Sequence, residues 1–286
     1  MSFGFRTLHP FVLLFYYICT VTGILLYQHP FFLLFACIIL ILLNVVLDKG
    51  KMLKSWGKFL IILPIVFMIL APLFNRRGNH ILFYISQNPV TLESIIQGLM
   101  NGLTIIAIML VFLTFNVVIT ADKFLFLFSK WFPQWALLAM LSLRFVPLFQ
   151  RRLHEIMTVQ KARGYSITEG PIKQRVRNSL LLLQILLTWS LEDGIETADS
   201  MAARGYGVQE RTKYTPYKLT VTDLILIVLL LILTAIVIFG WWLGDGVLTL
   251  LPILEPVLLY GREWLFFTFY ICLIGFPLFV EGKEVM

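Results

Sequence analysis

Four carboxylates stand close together in the second half of the chain: Glu192, Asp193, Glu196 and Asp199. Carboxylates at helical spacing can hold Mg²⁺ for a diphosphate substrate, which would make the chain an intramembrane enzyme of the prenyltransferase kind. That chemistry needs a second acidic cluster opposite the first, and most of the other acidic residues are dispersed singly. We therefore favour a structural role, in which this acidic helix pairs with the basic helix around Arg151 and Arg152.

Other signals of catalysis are weak. His154 and Glu155 are followed by Thr158 where a zinc protease would need a second histidine. The cysteines lie in apolar runs without the spacing of a metal site, and no glycine-rich phosphate loop occurs. The sequence thus predicts no catalytic, cofactor-binding or metal-binding residue, so any nucleotide must be bound by another chain.

The tetrapeptide Ala-Arg-Gly-Tyr occurs twice, at 162–165 and at 203–206. A glycine supplies the left-handed residue that ends many helices, and an arginine in the last turn interacts favourably with the helix dipole. Apolar residues recur at helical spacing before each copy, so each copy is predicted at a helix end. The arginines could also make bidentate contacts with carboxylates of another protein.

The composition shows what kind of scaffold must position these residues. The chain has 286 residues, 59% hydrophobic and 14% charged, whereas soluble domains carry about 25% charged residues. It is therefore predicted to be an all-α, polytopic integral membrane protein. Six apolar segments are predicted to span the bilayer: 11–27, 31–47, 59–74, 93–119, 219–243 and 263–280.

The distribution of positive charge predicts the topology. An even number of spans places both termini on one side, and with the termini inside, the outer loops hold only Arg76, Arg77 and Arg262 of 23 basic residues. Residues 120–218 carry most of the remaining charge. We therefore expect N-terminal transmembrane helices over 1–119, a cytoplasmic or interfacial helical region over 120–218, and C-terminal transmembrane helices over 219–286. Because the cations flank spans, nucleic-acid binding is discounted.

Two segments of the middle region, Gln134–Phe149 and Asn178–Trp189, are apolar but too short to cross a bilayer. They are predicted to be interfacial or bundle-buried helices, with Trp131, Trp135 and Trp189 at the level of the lipid headgroups.

The fourth predicted span carries Gln97, Asn101 and Thr104 on one face, beside the GxxxG pair Gly98 and Gly102. Small residues let helices approach closely, and amides bond across the contact. Packing within the chain is the favoured interpretation. A docking face for another subunit is the alternative, and a substrate path through a stand-alone permease would also use this face.

Two longer stretches contain the tetrads: LRFVPLFQRRLHEIMTVQKARG at 143–164 and EDGIETADSMAARGYG at 192–207. They resemble the transmembrane T component of energy-coupling factor (ECF) transporters, the EcfT/CbiQ family. In that family, Leu-Arg-Phe-x-Pro precedes a helix ending in Ala-Arg-Gly, and a second helix ends in Ala-Met-x-Ala-Arg-Gly-Tyr. Ser200 replaces the first alanine of the second motif, Thr104 stands where a basic residue is expected, and Thr120-Ala121-Asp122 replaces a Thr-Thr-Ser-Pro-like run.

The resemblance implies that both helices are coupling helices, which dock on two ABC-type ATPase subunits that bind ATP and Mg²⁺. Six residues would make the contact: Ala162, Arg163, Gly164, Ala203, Arg204 and Gly205. Arg144 and Pro147 would support it, since Pro147 can bend the helix and Arg144 can anchor it at the interface. A membrane-embedded substrate-binding S component would carry a vitamin or a transition-metal ion across a prokaryotic plasma membrane. The chain itself would not be an enzyme.

Overall fold

The computed structural model describes residues 4–74, 80–85, 88–129, 131–165, 167, 169–208, 217–248, 259 and 261–285. Within these ranges the chain is almost entirely helical, as predicted. The helices are α1 Pro10–Leu26, α2 Pro30–Asp48, α3 Lys51–Phe74, α4 Leu92–Val118, α5 Ala121–Ser129, α6 Pro133–Ala162, α7 Ile172–Ala203, α8 Val221–Trp242 and α9 Glu263–Val285. A short antiparallel hairpin, β1 Ile81–Ile85 and β2 Asn88–Thr91, connects α3 to α4.

The six predicted spans coincide with α1, α2, α3, α4, α8 and α9. Among the described residues, five of these helices are long and apolar enough to cross a membrane, namely α2, α3, α4, α8 and α9. Helix α1 is a shorter apolar helix of 17 residues. The chain is therefore a multi-pass membrane protein. Arg76 and Arg77, which the sequence places in an outer loop, lie outside the described residues.

The helices begin where local chemistry favours it. Helices α1 and α2 each start with a proline, and the preceding His9 and His29 accept a hydrogen bond from the backbone N–H two residues ahead. Helices α4 and α8 start with reciprocal capping boxes at Thr91 and Thr220. These signals lie within one helical turn, so they act before any tertiary contact forms.

One compact unit contains Met1–Phe124 and Tyr217–Met286. Its core is rich in aromatic residues, and Tyr16, Tyr27, Phe32 and Tyr270 are completely buried. The Tyr16 hydroxyl donates to the carbonyl oxygen of Ile274 on α9 at 2.8 Å, and the Tyr27 hydroxyl donates to a carbonyl oxygen of α8, also at 2.8 Å. Buried hydroxyls therefore tie the first helix to the last two.

Helix α3 packs on α4 through the GxxxG pair. A Cβ atom built on Gly98 would lie 2.9 Å from the carbonyl oxygen of Met68 and 3.1 Å from the Cβ of Ala71. A Cβ on Gly102 would lie 3.4 Å from the carbonyl oxygen of Pro64. The small residues thus serve packing within the chain, as the sequence favoured, and Gln97 donates to Asn101 on the same helix at 3.2 Å.

The N-terminal segment joins several helix ends at one face of this unit. The Arg6 guanidinium donates to the carbonyl oxygen of Leu47 at the end of α2. The Lys123 ammonium donates to the carbonyl oxygens of Arg6 at 2.7 Å and Val118 at 3.0 Å, at the end of α4. Burial, with a smaller contribution from Arg6, lowers the pKa of Lys123. The N-terminus and the ends of α2 and α4 therefore share one face.

The opposite face holds a bidentate ion pair. Arg262, before α9, donates from Nε to Asp245 Oδ2 at 2.8 Å and from Nη2 to Asp245 Oδ1 at 3.2 Å. Asp245 follows the end of α8, so the pair joins the two C-terminal helices where the chain passes from one to the other.

The second compact unit is Leu125–Pro216. Its principal helices, α6 and α7, pack on each other, and the start of α6 lies beside the end of α7, because Trp135 and Tyr206 line one groove. The segments Gln134–Phe149 and Asn178–Trp189 are not separate short helices but parts of these longer ones, 30 and 32 residues in length.

Candidate functional site

The first Ala-Arg-Gly-Tyr copy closes α6. The helix ends at Ala162, Arg163 is its C-cap residue, and Gly164 has a φ of +86°. The N–H of Tyr165 donates to the carbonyl oxygen of Gln160 at 2.9 Å, and the N–H of Gly164 donates to that of Lys161 at 3.0 Å. These two bonds define a Schellman motif.

The second copy closes α7 with the same geometry. The helix ends at Ala203, Arg204 is the C-cap residue, and Gly205 has a φ of +79°. The N–H of Tyr206 donates to the carbonyl oxygen of Met201 at 3.0 Å, and the N–H of Gly205 donates to that of Ala202 at 2.9 Å. The repeat in the sequence is thus a repeat of one helix-ending structure, and the prediction that each copy lies at a helix end is confirmed.

The glycine and the arginine of each tetrad have separable roles. A Cβ on Gly164 or Gly205 would meet nothing within 4 Å, so the left-handed backbone alone explains the glycine. Arg163 and Arg204 are exposed, and neither guanidinium forms a hydrogen bond or an ion pair with any residue that the structure describes. Each cap therefore presents a permanently charged, planar guanidinium that has no partner among the described residues.

The two supporting residues lie far from the caps along α6. Arg144 and Pro147 are both exposed, and the Arg144 guanidinium lies 5.6 Å from the ring centre of its neighbour Phe145. Pro147 lies inside α6, which continues as one helix on both sides of it. Arg144 is 19 residues before Arg163, or about 28 Å along the axis at 1.5 Å per residue. The structure therefore does not bring Arg144 and Pro147 together with the tetrad of their own helix.

The contact between α6 and α7 centres on Trp189. Its ring meets Phe149 edge to face, with ring centres 5.9 Å apart, and the Arg152 guanidinium lies 4.9 Å from the ring centre. Arg152 also forms an ion pair with Glu155 at 2.8 Å on its own helix. Trp189 is partly buried in this contact, which holds the two helices together.

The predicted pairing of the acidic helix with the basic helix around Arg151 and Arg152 is confirmed in part. Helices α6 and α7 do pack on each other, but within the described part of the chain the acidic cluster 192–199 forms no ion pair with Arg151 or Arg152. Arg152 contacts Glu155 and Trp189 instead. Nor do three or more histidine, cysteine or acidic side chains converge as metal ligands among the described residues. Most of the cluster is exposed on α7.

Tyr206, the last residue of the second tetrad, lines a groove with Trp131, Phe132 and Trp135. These residues come from the start of α6 and the turn before it, 71 or more positions away in the sequence. The groove connects the end of one tetrad-bearing helix to the start of the other. The groove forms because α6 and α7 pack together, and the spacing of its residues in the sequence does not predict it.

Replacing Trp189 with alanine is expected to loosen the pairing of α6 and α7. Loss of one aromatic contact and one cation–π contact should cost about 2 kcal/mol, so amide hydrogen exchange around residues 149 and 189 should accelerate by about 30-fold. Trp189→Phe keeps the edge-to-face contact and should change exchange much less. Leu187→Ala, which removes a side chain that is 58% exposed on the same helix, is the matched control. Exchange rates that are equal in Trp189→Ala and the unaltered chain would contradict this role.

The sequence does not identify Trp189 and Arg152 as the residues that position α6 against α7. Their types were a signal, since arginine and tryptophan form favourable stacked pairs. Their separation of 37 positions gave no indication that they would meet.

Comparison with known proteins places this chain beside membrane components of transporters. The family model for CbiQ, described as cobalt transport protein, matches residues 2–214. The chain is similar to the energy-coupling factor transporter transmembrane protein EcfT of Bacillus subtilis (strain 168), with 40% identity over 105 residues, 36% of this chain and 40% of that protein. It is 37% identical to the EcfT of Streptococcus thermophilus over 152 residues, 49% of this chain and 57% of that protein.

A third relative is the EcfT of Streptococcus equi subsp. equi, with 31% identity over 180 residues, 59% of this chain and 67% of that protein. The chain thus spans about 40% to 57% of the length of the Bacillus and Streptococcus thermophilus relatives. The similarity indicates that this chain is a membrane component of a transporter.

Proposed function

The chain belongs to the CbiQ family, which is described as cobalt transport protein, and it is similar to EcfT transmembrane proteins. We propose that it is the coupling subunit of an ECF-type importer. In this proposal α6 and α7 are coupling helices that transmit the ATP-driven motion of two ABC-type ATPase subunits to a substrate-binding S component in the membrane.

The observation that carries the proposal is the pair of matched helix ends. Both tetrads form the same Schellman cap, and both leave an exposed arginine without a partner among the described residues. A cap needs the glycine but not an unpaired guanidinium. Two equivalent forks suit two equivalent docking grooves, each lined by a carboxylate that receives one guanidinium in bidentate geometry. Ala162 and Ala203, next to them, are small enough to let the partner approach.

The apolar surface of α7 supports contact with a membrane partner. Seven large apolar side chains on this helix are at least 50% exposed: Ile172, Val176, Leu180, Leu183, Leu187, Leu191 and Ile195. Exposed apolar stripes of this size are typical of sites that meet lipid or another apolar protein surface. The proposed S component would contact this surface, and closure of the ATPase pair would move α6 and α7 so that the S component reorients in the membrane.

ATP and Mg²⁺ would be bound by the ATPase subunits, because this chain offers no glycine-rich phosphate loop. With both termini cytoplasmic, the tetrads would face the compartment that supplies ATP, in keeping with the concentration of basic residues in 120–218. The plasma membrane of a prokaryotic cell is the proposed location, and the cargo would be a vitamin or a transition-metal ion.

Purification from gentle detergent tests the proposal. The tagged full-length chain, produced in its own host, should retain two ATPase subunits and one further small membrane protein, with stoichiometry measured by mass spectrometry of the intact complex. Membrane vesicles from the host that produces the chain should take up cargo only when ATP is hydrolysed. A chain that purifies alone and turns over a diphosphate in a metal-dependent reaction would instead indicate an enzyme, and uptake by the lone chain would indicate a permease.

A further inference from the structure

Three lysines form a stripe at the start of α3. Lys51, Lys54 and Lys58 are separated by three and four residues, so they lie on one side of the helix. All three are exposed, and none pairs with a carboxylate within the described part of the chain. The nearest acidic residue in the sequence, Asp48, instead accepts a hydrogen bond from the backbone N–H of Met52 at 3.0 Å. The stripe therefore carries an uncompensated positive charge.

The stripe lies at a membrane boundary. Helix α2 ends at Asp48, next to the Leu47 carbonyl that Arg6 binds, and α3 starts three residues later. The lysines are thus at the same face of the first unit as the N-terminus and the end of α4. Trp56 and Phe59 flank them, with 47% and 58% of their surface exposed and ring centres 5.6 Å apart. Aromatic residues of this kind favour the headgroup level of a bilayer.

The same side of α3 continues as an apolar stripe. Four isoleucines lie on it, and each has about half or more of its surface exposed: Ile61 (63%), Ile62 (58%), Ile65 (49%) and Ile69 (58%). The other side of the helix is the one that packs, since Pro64, Met68 and Ala71 meet the glycines of α4. From Lys58 to Ile69 the helix rises about 16 Å, close to half of the ~30 Å hydrocarbon thickness of a bilayer. The exposed side therefore combines a cationic end with an apolar length of one leaflet.

We propose that this side of α3, formed by the three lysines and the four isoleucines, binds anionic phospholipid. A negatively charged headgroup would meet the lysine ammonium groups, and its acyl chains would lie along the isoleucines. An acidic soluble protein could neutralise the lysines, but it would leave the isoleucines uncovered. The match in both charge and length is what selects a lipid as the occupant.

Photo-crosslinking of the full-length chain tests this site. A photoreactive benzoylphenylalanine replaces Ser55, which is exposed between Lys51 and Lys58. The protein is placed in nanodiscs of mixed phosphatidylglycerol and phosphatidylcholine, and the crosslinked lipids are identified by mass spectrometry. We expect phosphatidylglycerol to be captured about fivefold or more above its share of the bilayer, since each lysine near the surface contributes about that factor.

Charge-neutralising and charge-preserving variants complete the test. Lys51→Gln, Lys54→Gln and Lys58→Gln together should reduce the capture to the bilayer share, whereas the three Lys→Arg substitutions should retain the enrichment. Lys173→Gln with Arg177→Gln, which neutralises exposed cations on α7, should also retain it. Thermal unfolding confirms that each variant is folded. Capture in proportion to the bilayer composition by the unaltered chain, or crosslinking to a protein in native membranes, would overturn the proposal.

Discussion

Replacing both Arg163 and Arg204 by glutamate is expected to abolish binding of the proposed ATPase subunits. Each substitution turns an attraction to a carboxylate into a repulsion. Truncating one partner of a buried charge pair already costs about 2 to 5 kcal/mol. Reversal at two sites should therefore weaken binding by at least about 1,000-fold. Both side chains are exposed and unpaired in the described structure, so the chain itself should remain folded.

Binding is best measured as retention of the ATPase subunits on the detergent-purified chain, together with ATP-driven uptake in proteoliposomes. Arg151→Glu with Arg177→Glu is the matched control, since it makes the same change in charge at two other exposed positions. Arg163→Lys with Arg204→Lys separates charge from geometry, because lysine keeps the charge but loses the planar fork. Unchanged assembly and transport in the double glutamate variant would show that Arg163 and Arg204 do not bind the ATPase subunits.

Single reversals test whether the two ends act as equivalent sites. The caps have the same hydrogen bonds, so Arg163→Glu and Arg204→Glu should weaken binding by similar factors. Free energies of distant, independent sites add to within about 0.5 kcal/mol. If one single variant bound like the unaltered chain while the other matched the double variant, only one end would meet an ATPase.

Gly98→Leu is expected to destabilise the first compact unit strongly. Even the Cβ atom of the new side chain would come within 2.9 Å of the Met68 carbonyl oxygen and 3.1 Å of the Ala71 Cβ. A backbone oxygen cannot rotate away, so α3 must shift from α4. Overpacking of this kind costs about 3 kcal/mol, which should lower the thermal midpoint in detergent by about 5 to 10 °C.

Gly57→Leu is the matched control, because a Cβ on this helical glycine of α3 would meet nothing within 4 Å. Its midpoint should be unchanged or slightly raised, since leucine favours helix more than glycine does. If Gly98→Leu kept its midpoint but lost a partner subunit, the GxxxG pair would be a docking face and not an internal contact.

Local signals account for the parts of this structure that sequence predicted well. The spans follow from the ~20 apolar residues that a bilayer requires. Each lies within or close to a helix, although α3 starts at Lys51, eight residues before the predicted third span. The Schellman caps need only a glycine and hydrogen bonds across six positions. In both cases the cause lies within one stretch of sequence, so it can be identified without knowing what the stretch contacts.

Contacts between distant residues account for the rest. The sequence predicts that the acidic helix pairs with the basic helix around Arg151 and Arg152. Helices α6 and α7 do pack, but through Trp189, while Arg152 forms its ion pair with Glu155 of its own helix. Ion pairs at a surface are worth little and depend on geometry. The packing of bulky side chains such as Phe149 and Trp189 decides which faces of two helices meet. The pattern of charges alone does not predict that contact.

The sequence by itself determined that this chain is a helical membrane protein with two matched arginine-bearing helix ends, because length, apolarity and capping are local properties. Only the tertiary structure decided that Gly98 allows α4 to pack closely on α3 and that Trp189 joins α6 to α7. It also decided that Arg163 and Arg204 are left without partners among the described residues. Those outcomes depend on which surfaces are buried when helices pack, and side chains far apart in the chain jointly set that packing.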